Sequence, residues 1–345
     1  MKTVLKKIID AALACYGLFQ EKKSIPEKPG RIGVIACHWL GDTFWAFQTI
    51  PYLKQRFPDA EIHIFLRRDF SGLFYNMIAP ANIHQVPEVI SDRRREKFSW
   101  SGLFAAARQY RPLNFDLVMD LTGNRYSAMF TRLLKPGYSI GFEGDEFGAL
   151  YSLLVSRSEY ADLHLWQRLF KVALAAVPEM TIPDYPRPPL LKCSFEEACR
   201  SAGLDPSQPL AVIAPCAGWP EKEWGDDNFA ALAAALRAEG WQALISGTEK
   251  ELPRGMKIAG KSGAVAWSGE LGVLCALLSG ARLFVGNDSG VGHIAASFNR
   301  AKVVVVFTGS TLPEKLAPAG GNVSVLHSGR NNVPVNEVLS CCRNK

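Results

Sequence analysis

The sequence predicts an α/β protein of two similar halves, each built on a parallel sheet, and three observations carry that prediction. Short apolar runs alternate with helical stretches along the chain, as parallel strands joined by helical crossovers require. A proline-rich segment, Pro178 to Pro189, interrupts the alternation near the middle. Beyond it the same alternation starts again.

Arg31-Ile32-Gly33-Val34-Ile35-Ala36 is apolar after its first residue and reads as a buried strand. A helix is predicted over about residues 43–57, closed by Pro58-Asp59. Glu61 to Leu66 is the next strand. Phe115 to Asp120 is another, followed by a helix over about 126–134. Pro178, Pro183, Pro186, Pro188 and Pro189 mark the linker, because proline lacks the N–H that helices and ladders use. In the second half Leu210 to Ala214 is a strand, and a helix over 228–239 takes Asp226 or Asp227 as its cap. Trp241 to Ile245 is a strand, 271–279 a helix, and Leu283 to Gly286 and Val303 to Phe307 are strands. The resulting division is an amphipathic extension (1–30), a first domain (31–180) and a second domain (190–345). The last helix is a candidate to pack back on the first domain. Two facing sheets of this kind would hold a ligand cleft at their strand C-terminal ends.

The chain has 345 residues, 48% of them hydrophobic and 21% charged, with a formal net charge of +6. That excess attracts anions but is small for a nucleic-acid coat, and no nucleic-acid partner is expected. The eight cysteines are scattered without a CxxC pair, which points to buried thiols in a reducing, cytoplasmic setting. Adjacent Cys341 and Cys342 have no assigned role. No apolar run reaches the roughly 18–20 residues a membrane span needs. Near the start, Lys2, Lys6 and Lys7 precede an apolar run from Ala11 to Phe19, but Asp10 interrupts and no cleavage site follows. Val4, Leu5, Ile8, Ile9, Ala12 and Leu13 instead share one helix face. Such a helix either lies on the inner face of an anionic membrane or packs on its own protein.

Four segments, each just after a predicted strand, carry the chemistry. In His38-Trp39-Leu40-Gly41-Asp42-Thr43, Gly41 allows a tight turn. Asp42 is there either a helix cap or a general base for an acceptor hydroxyl. Gly286-Asn287-Asp288-Ser289-Gly290-Val291-Gly292-His293 joins a strand to a helix with small residues, so its exposed N–H groups suit phosphate. An ordinary βα turn and a packed histidine would look the same. Pro215-Cys216-Ala217-Gly218-Trp219-Pro220-Glu221-Lys222 offers a counter-charge for a diphosphate in Lys222, or a plain surface lysine. Glu251, after the next strand, is placed to accept ribose hydroxyls or to face solvent. GxGxxG after the first strand, GxxxxGK[ST], GxSxG, HExxH and Cys/His ligand clusters are all missing. No dinucleotide, P-loop, hydrolase or zinc site is therefore expected.

From about Arg31 to about Pro318, these segments in this order resemble glycosyltransferase family 9, the ADP-heptose:lipopolysaccharide heptosyltransferases. The resemblance rests on Gly41-Asp42 running to Phe57-Pro58-Asp59-Ala60, on Phe115 to Leu121 followed by Gly141-Phe142, and on Pro215, Ala217, Lys222, Trp224, Asp288, Ser289, Gly290 and His293. It implies a GT-B fold, two Rossmann-like domains facing a central cleft. It also implies metal-independent, inverting transfer from ADP-heptose to a lipopolysaccharide core or related anionic glycan, with no cofactor and no metal ligand. Asp42 is then the base. Lys222 would bind the diphosphate, with Ala217 and Gly218 as backbone donors, and Glu251 the ribose or base. Asp288 would contact the sugar, and Ser289, Gly290 and His293 the phosphates. Arg67 and Arg68, with Arg93, Arg94, Arg95 and Lys97, are candidates for the anionic acceptor. The sequence departs from the family in Cys216, where glycine is common, in a longer Phe307 to Thr311 segment, and in its N-terminal extension. Rival readings are a transferase or epimerase using another nucleotide sugar, a non-catalytic nucleotide-sugar binder and, more remotely, an NAD-dependent oxidoreductase.

Overall fold

The structure, a computed structural model, describes residues 24–67, 70–87, 99–143, 147–308, 311–327 and 333–343. The amphipathic start (1–23), Arg68 and the basic run Arg93 to Lys97 lie outside these residues. Residues 24–30 form no helix or strand.

The chain divides into two compact units, one through Phe70 plus Asn76–Ile182, the other Ser71–Tyr75 plus Pro183–Lys345. The first contains strands β1 (Arg31–Ala36), β2 (Glu61–Leu66), β3 (Ile83–Gln85), β4 (Leu117–Asp120), β5 (Tyr138–Phe142) and β6 (Leu153–Val155). Its helices are α1 (Leu40–Phe47), α2 (Ile50–Arg56), α3 (Trp100–Tyr110), α4 (Arg125–Leu134) and α5 (Leu165–Ala176). The second unit starts with α6 (Phe195–Ser201) and continues β7 (Leu210–Ala214), α7 (Asp226–Ala238), β8 (Gln242–Gly247), α8 (Leu252–Ser262) and β9 (Val265–Ser268). It ends α9 (Leu271–Gly280), β10 (Leu283–Asn287), α10 (Gly290–Ser297), β11 (Lys302–Phe307), α11 (Pro313–Leu316), β12 (Val323–His327) and α12 (Val335–Arg343).

Each unit holds a six-stranded sheet, in the orders β3-β2-β1-β4-β5-β6 and β12-β11-β10-β7-β8-β9. All recorded strand pairs are parallel. Read from its other end, the second order repeats the first, so both units are doubly wound. In each the order reverses at one place, between β1 and β4 and between β7 and β10. Loops after strands at such a reversal are where ligands of open parallel sheets bind, and three of the four sequence-predicted segments lie on them.

Three expectations need correction. The helix expected over 43–57 is two helices. Pro51 stands in the first turn of α2, and its ring would clash with the carbonyl four residues back in a continuous helix. Thr49 Oγ1 donates instead to the Ala46 carbonyl at 2.7 Å. The strand expected from Phe115 starts at Leu117, because Asp116 turns its carboxylate to the Gly30 and Arg31 N–H groups at 2.8 and 2.9 Å. Helix α7 is capped by Gly225, at φ 106. Asp226 and Asp227 pair with Arg254 and Lys261 instead. Helix α12 buries Val338 in the core of the second unit, with Val335 and Leu339 packed beside it.

On the first sheet, His63 Nδ1 and His84 Nε2 lie 2.9 Å apart with their rings stacked. Burial, and then the neighbouring His63 charge, push His84 down to about 4; burial also lowers His63, against the pull of Glu61. A depressed histidine favours folding fully above its unfolded value near 6.5 and loses that contribution as pH falls toward 4. Urea unfolding should show up to about 3 kcal/mol lost across that window. A His84→Gln variant should lose measurably less, and equal slopes would remove the pair as the cause.

Candidate functional site

In the second unit the end of β10 gathers the predicted donor residues. The Lys222 ammonium lies 2.5 Å from Asp288 Oδ2, with side chains 21% and 8% exposed. The neighbouring Asn287 side chain is fully buried. It donates to the Pro215 carbonyl at 2.7 Å and accepts the Trp224 N–H at 2.9 Å. One amide thus latches the loop after β7 and the Lys222 turn to the same strand end. Gly286 is required just before it, since a Cβ there would meet the Phe284 ring at 2.9 Å. Trp224 is buried and donates from its indole to the Val333 carbonyl at 2.7 Å.

Ser289 caps α10 by position, but its hydroxyl makes no cap bond. That atom is buried, with no hydrogen-bond partner among the described residues. Gly290 opens the helix, and His293 is buried in its first turns. The free N–H groups and dipole of this helix start favour an anion.

Around this centre the structure redistributes other expected roles. The Ala217 N–H is taken by Glu223 Oε1 at 3.3 Å, and Gly218 is exposed. Glu251 Oε2 accepts the Thr248 N–H and hydroxyl, both at 2.8 Å, so one carboxylate oxygen already closes its own loop. Sequence reasoning missed Arg254. Its guanidinium donates to Asp226 at 2.7 Å, Glu223 at 2.8 Å and Cys216 Sγ at 3.8 Å. It thereby braces the residue next to Lys222. No local pattern announces it, because its partners come from elements 28 to 38 residues away. Burial pushes the Cys216 thiol up to about 12, leaving it unreactive.

In the first unit Asp42 is the third residue of α1, half-buried, while Trp39 holds the cap position without a side-chain cap bond. The cap reading of Asp42 is therefore wrong. Its carboxylate sits in the first turn, on the connection leaving β1 at the switch point. His38, on the same connection, places Nε2 at 2.8 Å from the Thr122 carbonyl; a carbonyl can only accept, so Nε2 carries the proton. The same peptide unit donates through the Gly123 N–H to Asp120 Oδ1 at 3.1 Å. Asp120 also accepts the Thr122 N–H at 2.8 Å and the Tyr151 hydroxyl at 2.6 Å. Burial raises the Asp120 carboxyl against those bonds. Gly141 makes room for the arrangement, since a Cβ there would stand 2.5 Å from the Tyr151 ring. Arg67, a candidate contact for the anionic acceptor, is only 4% exposed, its guanidinium 4.1 Å over the Trp39 ring.

The family model described as glycosyltransferase family 9 (heptosyltransferase) matches residues 103–343, more than half of the chain. Lipopolysaccharide heptosyltransferase 2 of Escherichia coli K12 is 26% identical over 312 residues, covering 86% of this chain and 87% of that protein. Lipopolysaccharide heptosyltransferase 1 of Pseudomonas aeruginosa is 26% identical over 280 residues, covering 78% and 76%. Among solved structures, ADP-heptose lipopolysaccharide heptosyltransferase II of E. coli superposes with a TM-score of 0.72 at 19% identity, covering 90% of this chain and 97% of that one. An E. coli heptosyltransferase solved with ADP gives 0.68 at 19% identity, covering 90% and 98%. The structural likenesses show the two-domain α/β fold of the GT-B class. With the latched turn of Lys222, the helix start beyond Asp288 and the sequence match in agreement, this chain belongs to glycosyltransferase family 9, the heptosyltransferases.

Proposed function

We propose that this glycosyltransferase transfers a heptosyl group, with inversion, from ADP-heptose to the anionic core of a lipopolysaccharide or related glycan, without a bound metal. The observation that carries the reading is the Lys222–Asp288 pair beside the start of α10. It joins a cation, a carboxylate and an anion-favouring helix end, the parts a nucleotide diphosphate and its sugar require. The relatives' names supply the sugar and acceptor, and the solved E. coli structure supplies the nucleotide.

In the proposed reaction Asp42 takes the proton of the acceptor hydroxyl. The resulting oxygen forms a bond to the anomeric carbon as the bond from that carbon to the diphosphate breaks. Negative charge growing on the leaving group meets the Lys222 ammonium and the N–H groups opening α10. Diphosphate binding draws Lys222 from Asp288, whose carboxylate then accepts from sugar hydroxyls. Ser289, Gly290 and His293 line the phosphates, and the free oxygen of Glu251 meets the ribose or base. The proposed place of action is the cytoplasmic side, at the inner membrane surface.

Release of ADP from ADP-heptose onto a core acceptor tests this reading. With excess chelator the rate should stay within about twofold, because the cationic role belongs to Lys222. Loss of activity, restored only by a divalent ion, would overturn the metal-free step. Binding of ADP without any release from the donor would reduce the protein to a nucleotide-sugar binder.

A further inference from the structure

Helix α3 carries large apolar side chains on its outer side as well as its inner one, which a helix that only faces solvent does not. Its inner side buries Leu103, Ala106 and Ala107 beside Cys37 and Val86, residues just past the ends of β1 and β3. On its outer side Trp100 and Phe104, one turn apart, are 53% and 52% exposed. Their rings are stacked, with centroids 6.1 Å apart. Helical spacing carries that stripe on to Arg108 and, just past the helix end, Arg111, both exposed. Neither arginine has an ion pair among the described residues, and no acidic residue occurs from Trp100 to Phe115.

We infer that this outer face of α3 docks the protein on an anionic lipid surface. Trp100 and Phe104 enter the headgroup layer, where aromatic rings with an apolar body are favoured. Arg108 and Arg111 reach lipid phosphates while their aliphatic stems lie along the interface. A stripe without any carboxylate is complementary to a surface of phosphates and ill suited to an acidic-and-basic protein interface. Parallel topology adds a consequence. Helix α3 follows β3 and leads directly into β4, so its aromatic end lies toward the strand C-termini. That is the edge of the first sheet from which the Asp42 connection leaves. A lipid-linked acceptor held at the docked surface would be presented to that edge; this consequence rests on the transfer reaction proposed above, whereas the docking does not.

Co-sedimentation of the full chain with vesicles tests the docking. Wild type should bind vesicles rich in phosphatidylglycerol at least about tenfold more tightly than phosphatidylcholine vesicles, and less tightly as salt rises. A Trp100→Ser/Phe104→Ser variant should lose about tenfold in affinity for the anionic vesicles. An Arg108→Gln/Arg111→Gln variant should lose a similar factor and much of the salt dependence. ADP affinity and turnover on a delipidated, soluble acceptor should stay unchanged in both variants, which excludes misfolding. Unchanged vesicle binding by folded variants of both kinds would overturn the inference and move any membrane contact elsewhere in the chain. An Asp42→Asn protein should bind vesicles as wild type does, so failure of the transfer reading leaves this test intact.

Discussion

Asp42→Asn should lower turnover by about 10²- to 10⁴-fold, the range for removing a positioned general base, with little change in donor KM. The asparagine keeps size and polarity but cannot take a proton. Trp39, not Asp42, holds the cap position of α1, so the helix should survive, and thermal unfolding should shift little. Steady-state release of ADP with acceptor saturating is the measurement. The placement of Asp42 is what gives the test force. It stands in the first turn of α1, on the connection leaving β1 at the reversal of strand order. Near-normal turnover would remove Asp42 from the chemistry and leave His38, on the same connection, as the next group to examine.

Lys222→Met should cut turnover by about 10²- to 10³-fold, comparable with losing one preorganised group that stabilises developing charge. It should also lower stability by about 1–3 kcal/mol, because Asp288 is left 8% exposed without its cation. The two effects separate in a second variant. Adding Asp288→Asn removes the stranded charge, so the double variant should regain most of the stability while remaining inactive. Urea unfolding and ADP release on the same samples decide the matter. Recovery of both together would make the pair a structural ion pair with no part in transfer.

Much of the fold was legible because local physics wrote it. The apolar runs of β1, β2 and β7 begin and end as the pattern predicted, since strands buried on both faces admit no polar interruption. The short edge strands β3, β6, β9 and β12 were not foreseen; partly exposed strands of three to five residues resemble loops in pattern. The helix break at Gln48-Thr49 was announced by Pro51, and Asp226 and Asp227 of α7 were misread as caps because their partners, Arg254 and Lys261, lie about thirty residues on.

The site divides in the same way. Sequence alone placed Asp42, Lys222, Asp288, Ser289 and Gly290 directly after strands, since a βα connection is a local feature, and a family resemblance joined them into one reaction. Tertiary structure decided which partners these groups have. It set Lys222 on Asp288, gave the Ala217 N–H to Glu223, buried Arg67 against Trp39 and brought Arg254 to brace the Lys222 turn. Charges and hydrogen bonds act between atoms close in space, and residues far apart in sequence meet only after the sheets have formed. Composition and spacing can therefore say which groups reach the edge of a sheet, whereas only the packed chain says which of them are already spoken for.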